Sequence, residues 1–90
     1  MVTQYRKNGM SDIKRHTLDA RNLLCPMPVI RTQNFIADIP GGEILEVICT
    51  DPGAAHDIPA WCRIHGHKIM EIKHRQDELV ITIEIGETDG

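Results

Sequence analysis

Ninety residues allow one small domain with a single core, and with 41% hydrophobic residues but only one Phe, one Tyr and one Trp that core has to be aliphatic. The net charge of −3 is unevenly spread: Arg6, Lys7, Lys14 and Arg15 against Asp12 give residues 1–15 a balance of +3, so the remainder carries −6, which argues against a phosphate-binding surface on the folded part. No apolar run approaches the ~18 residues of a membrane span and no signal-peptide pattern opens the chain, so a cytoplasmic protein with no direct nucleic-acid or membrane partner is expected.

Residues 1–14 are polar, contain Gly9 and show no hydrophobic period, and read as a flexible tail with Met10 an alternative start. One domain is expected over residues 15–87, followed by a short tail over 88–90. Residues 15–19 suggest a first strand and 20–24 a loop. Over residues 26–39, Val29, Ile36 and Ile39, with Thr32 and Phe35 alongside, recur at helical spacing until Pro40-Gly41-Gly42 stops them. Residues 43–50 alternate, with Leu45, Val47 and Cys49 on one face and Glu46 and Thr50 on the other, as in a half-buried strand. Asp51-Pro52-Gly53 then signals a turn or helix start, and Ile58, Trp61, Cys62 and His65 continue at helical spacing. Pro59 falls inside that pattern; a start at Asp57 would leave it harmless in the first turn, and this is the expected start, ahead of a longer helix from Pro52 kinked at Pro59. Gly66 suits the residue just past the helix. Residues 68–74 and 78–86, the latter alternating at Leu79, Ile81, Ile83 and Ile85, predict an antiparallel hairpin through Arg75-Gln76-Asp77. The expected fold is therefore α/β (α+β): a two-layer sandwich of order β-α-β-α-β-β, with a four-stranded mixed sheet and two helices on one face.

The stretch Leu24-Cys25-Pro26-Met27-Pro28 sets a thiol between a strand-like run and a proline-opened helix. Proline favours the first helical position, which would make Cys25 the N-cap and leave a thiolate there near the helix dipole and the Met27 N–H. A surface dipole interaction of roughly 0.3–1 kcal/mol lowers the pKa by less than about one unit. Cysteine caps poorly, so capping is no reason for its choice. The chain has three cysteines, Cys25, Cys49 and Cys62, with no C-x-x-C pair and no Cys/His finger spacing, which speaks against structural zinc and for free thiols. Cys49 reads as a small core hydrophobe. None of the five histidines lies near Cys25 in sequence; His65 and His67, either side of Gly66, invite a metal but read better as solvated. No cofactor and no metal is expected.

Several motifs in register, His16-Thr17-Leu18-Asp19-Ala20, Cys25-Pro26-Met27-Pro28, Asp51-Pro52, Asp57-Ile58-Pro59-Ala60-Trp61-Cys62 and Gly66-His67, make residues 16–86 resemble the TusA/SirA/YedF family of small sulfur-carrier proteins. The resemblance, nearest the TusA branch through Asp57-Ile58-Pro59, implies a fold like the C-terminal domain of translation initiation factor three. It implies that Cys25 accepts persulfide sulfur from a cysteine desulfurase and relays it to downstream sulfur-relay proteins, as in tRNA 2-thiouridine synthesis or dissimilatory sulfur oxidation, with Pro26, Met27 and Pro28 shaping the site. The protein would be a monomeric carrier, sulfurtransferase-like rather than a free-standing enzyme. Met27 stands where the family often has Glu, which removes a charge beside the sulfur. Two other readings remain open: a thiol-exchange redox protein using Cys25, and a non-catalytic regulatory or interaction module.

Overall fold

The computed structural model describes residues 14–24 and 26–86; the readings placed on residues 1–13, on Cys25 and on residues 87–90 lie outside the described residues. Six elements follow in the expected order: β1 Arg15–Ala20, α1 Met27–Ile36, β2 Ile44–Cys49, α2 Ala54–His65, β3 Lys68–Arg75 and β4 Glu78–Glu84. The strands form one mixed sheet ordered β1-β2-β4-β3. β1 runs parallel to β2 across the α1 crossover, while β4 is antiparallel to both β2 and β3 and lies between them.

Strand alternation decides which side carries the helices. Leu45, Val47 and Cys49 of β2 pair with Ile83, Ile81 and Leu79 of β4, and all six are buried in one cluster with Ile36, Ala54, Ile58 and Cys62. α1 and α2 touch each other and cover this face, giving two layers. The opposite face is bordered by charge: Arg15 reaches Glu46 at 2.8 Å, and the outer strand β3 is mostly exposed and bulged between Ile69 and Glu71. A bulged, lysine-bearing edge is a poor template for pairing with another chain.

Two helix starts differ from the sequence expectation. α2 begins at Ala54 rather than Asp57, which leaves Pro59 within the helix. The earlier start is driven by Asp51-Pro52-Gly53: the Asp51 carboxylate accepts the Gly53 N–H at 3.2 Å, and the Ala54 and Ala55 amides bond back to the Asp51 and Pro52 carbonyls. This local chemistry outweighs the one intrahelical bond to the Ala55 carbonyl that Pro59 cannot make. Gly66 ends α2 at φ 83, as its position suggested.

α1 begins at Met27, with Pro26 as N-cap instead of Cys25. Pro26, at φ −96 and ψ 16, holds the bridge conformation of a turn, and its carbonyl takes the first helical bond, from the Ile30 N–H at 3.2 Å. Helical bonding persists beyond Ile36 through tightened bonds from Asp38 to Phe35 and from Ile39 to Ile36, so the apolar period running to Ile39 was real but its last turn is not regular α-helix.

Candidate functional site

One end of the sheet gathers the C-terminal ends of β1 and β2, the close of β3 and the opening of β4, through the pairs Ala20–Cys49, Cys49–Leu79 and Leu79–His74. The segment 21–26 leaves β1 at this end and enters α1. Leu24 is 75% exposed, and Met27 and Ile30 are also exposed, so an apolar border runs along the start of α1 and the residue before position 25 in the chain. The Met27 N–H, expected to serve a thiolate, instead donates to the Leu24 carbonyl at 2.8 Å. Pro28 is fully buried, a packing residue as well as a missing donor.

Beside this border lies an open cleft of about 440 Å³ lined by Asp19, Arg21, Asn22, Leu23, Arg31, Thr50 and Glu78. Arg21 is its organising group. Its Nε and Nη2 donate to the two oxygens of Asp19 at 2.9 and 3.0 Å, and Nη1 donates to Glu78 at 3.2 Å. Hydrogen bonding to Arg21 brings the Asp19 carboxyl down from 3.8 to about 2, and Asp19 and Glu78 in turn push the Arg21 guanidinium up. Asn22 takes a left-handed φ of 67 and donates its N–H to Thr50 Oγ1 at 2.8 Å. Asn is one of the few non-glycine residues that tolerate that region. A smaller cleft of about 200 Å³, lined among others by His74, Asp77 and Leu79, shares Thr50 and Glu78 with the first.

Cys49 and Cys62 are both free and both 0% exposed. Burial raises each thiol from 9.0 to about 11, with Asp51 adding to the effect at Cys49. Neither is a thiolate at neutral pH, so neither is suited to nucleophilic attack or to resolving a disulfide.

The histidines do not converge on this end as a group. His16 bonds Glu43 at 2.7 Å, and His65 lies exposed at the far end of α2. His67, expected to be solvated, is buried: its ring stacks on Trp61 at 5.2 Å and its Nδ1 accepts the Gly86 N–H at 2.9 Å. A Cβ on Gly86 would collide with the Gly66 carbonyl, so this position must stay glycine for the strand end to close over the helix end. Among the described residues no group of three His, Cys, Asp or Glu side chains is arranged to hold a metal ion. No helix among them is long and apolar enough to cross a membrane.

Residues 16–85 match the family described as Sulfurtransferase TusA. The Bacillus subtilis (strain 168) protein YrkI is 42% identical over 69 residues, which cover 77% of this chain and 92% of that one. The sulfur carrier protein TusA of Pseudomonas aeruginosa (strain LESB58) is 44% identical over 54 residues, 60% of this chain and 68% of that protein. Among solved structures, a SirA-like protein from Desulfitobacterium hafniense superposes with a TM-score of 0.70 at 22% identity, covering 80% of this chain and 99% of that one, a likeness of fold.

Proposed function

Because the chain belongs to the sulfurtransferase TusA family, matching it over residues 16–85, we propose that it is a sulfur carrier and that Cys25 bears the sulfur as a persulfide. The observation that carries this assignment is the burial of the other two thiols: Cys49 and Cys62 are core residues with thiols raised to about 11. The third cysteine follows Leu24, which is 75% exposed, and precedes Pro26 and Met27, both exposed. The same burial disfavours a redox enzyme, which would need a second reachable thiol.

Loading requires no general base. The Cys25 thiolate attacks the terminal sulfur of a cysteine persulfide on the donor; a new Cys25 S–S bond forms as the donor's S–S bond breaks, and the donor departs as a thiolate. Delivery repeats the exchange, with the terminal sulfur of Cys25 as the atom attacked. The donor is a cysteine desulfurase, and the recipients are downstream relay proteins leading to tRNA thiolation or sulfur oxidation. Docking uses the cysteine-bearing end, where exposed Leu24, Met27 and Ile30 adjoin the carboxylates of Asp19 and Glu78. The carrier acts in the cytoplasm as a monomer.

The test is to incubate the protein with a desulfurase, pyridoxal phosphate and cysteine, and to map added sulfur by mass spectrometry. Sulfur of one atom's mass on the Cys25 peptide is expected, with none on Cys25→Ser and unchanged loading of Cys49→Ala. Full loading of Cys25→Ser would defeat the assignment.

A further inference from the structure

Residues 21–24 have no regular backbone ladder to hold them, yet they connect β1 to the helix that follows Cys25. Their anchors are side chains. The Arg21 guanidinium grips both oxygens of Asp19 on β1 and reaches Glu78, the first residue of β4, while the Arg21 amide itself donates to Asp19 at 3.1 Å. The next residue, Asn22, is held in a left-handed conformation by its bond to Thr50, just past β2. Two consecutive residues are thus tied to three separate parts of the sheet's end, and the Leu24–Met27 bond closes the segment on its far side.

These groups are exposed, Arg21 by 45% and Asp19 by 58% of their side chains, and exposed ion pairs add little to global stability. Their effect has to be local. A planar fork fixed on two strands restrains the loop, whereas a single point charge would only attract it. We propose that Arg21 is a positioning residue, whose bidentate grip on Asp19 and bridge to Glu78 set the path of the Arg21–Leu24 loop and so govern how fast Cys25, the next residue of the chain, exchanges sulfur with its partners. The transfer half of this rests on the reading of Cys25 as the sulfur-bearing residue; the loop half does not.

The experiment compares wild type, Arg21→Gln, Arg21→Lys and Glu78→Gln in two measurements: steady-state sulfur acceptance from a desulfurase, and amide hydrogen exchange over residues 22–24. Arg21→Gln should lower kcat about tenfold to a hundredfold, the range that small misplacement of a reacting group causes, with KM within about twofold. Exchange at 22–24 should quicken, and the melting temperature should stay near that of wild type. Arg21→Lys keeps the charge but lacks the fork, so it should restore little of kcat. Glu78→Gln, which leaves the Asp19 fork in place, should fall between and covers the case of an Arg21 variant that folds poorly. A raised KM fully restored by Arg21→Lys would make Arg21 a partner contact and overturn the proposal, as would unchanged exchange and kcat. A wild-type protein that accepts no sulfur would refute the carrier reading, and the exchange data would still decide whether Arg21 holds the loop.

Discussion

Two buried side chains, one bearing a hydroxyl and the other a thiol, should respond in opposite senses when that group is exchanged. Thr32 lies fully buried on α1 with its Oγ1 lacking a hydrogen-bond partner among the described residues. Thr32→Val keeps the shape and removes an unsatisfied oxygen, so it should stabilise by about 1 kcal/mol or more. Cys49→Ser adds a hydroxyl to a position between Ala20 and Leu79 in the sheet and should destabilise by roughly 1–3 kcal/mol. Urea unfolding of both variants checks the pair, and a stabilised Cys49→Ser would show that the site can satisfy a hydroxyl. Cys49 was legible from alternation alone, since period two placed it with Leu45 and Val47. Arg21 and Asn22 were not, because their partners Glu78 and Thr50 lie 57 and 28 residues away and only the folded sheet end brings them together.

At the scale of elements, periodicity located both helices and the strands β2 and β4, while turn chemistry decided the boundaries. The clearest case is α2. Reading Pro59 as a helix breaker moved the expected start to Asp57, but Asp51-Pro52-Gly53 nucleates the helix early and Pro59 is carried inside it. This gives a direct prediction. Pro59→Ala restores the amide that can reach the Ala55 carbonyl and removes the ring from the preceding turn, which together should stabilise the protein by about 1–3 kcal/mol, less whatever the freer unfolded chain recovers. Thermal and urea unfolding measure it; a loss of stability would mean that the proline ring's contacts beside Arg63 and Ile69 outweigh the missing bond. The start of α1 turns on a similarly local matter. With the Met27 amide committed to Leu24, a Pro26→Ala or Pro28→Ala change alters the backbone or the core rather than supplying a clean extra donor to a thiolate.

For the molecule as a whole, three buried titratable groups define a window of stability. His67 is held neutral by burial and by the neighbouring His65, and its Nδ1 must stay unprotonated to accept the Gly86 N–H. A pKa lower in the folded state than in the unfolded chain means that the unfolded state takes up the proton first, so this contribution is complete above 6.5 and is lost as pH falls below it. Cys49 and Cys62 work in the opposite direction. Their folded pKa values are raised from 9.0 to about 11, so the stability they confer is complete below 9 and declines as pH rises toward 11. Each group contributes a slope of at most about 1.4 kcal/mol per pH unit within its own range. Urea unfolding from pH 5 to 10.5 should therefore give a plateau between about 6.5 and 9 with a fall on each side. His67→Gln should flatten the acid arm alone, and Cys49→Val with Cys62→Ala the alkaline arm alone. Asp19, exposed and titrating near 2, contributes to neither arm, so the grip of Arg21 on the loop should persist across the whole plateau. Acid and alkaline arms that run parallel in wild type and variants would show that the pH limits of the fold are set elsewhere than at these three side chains.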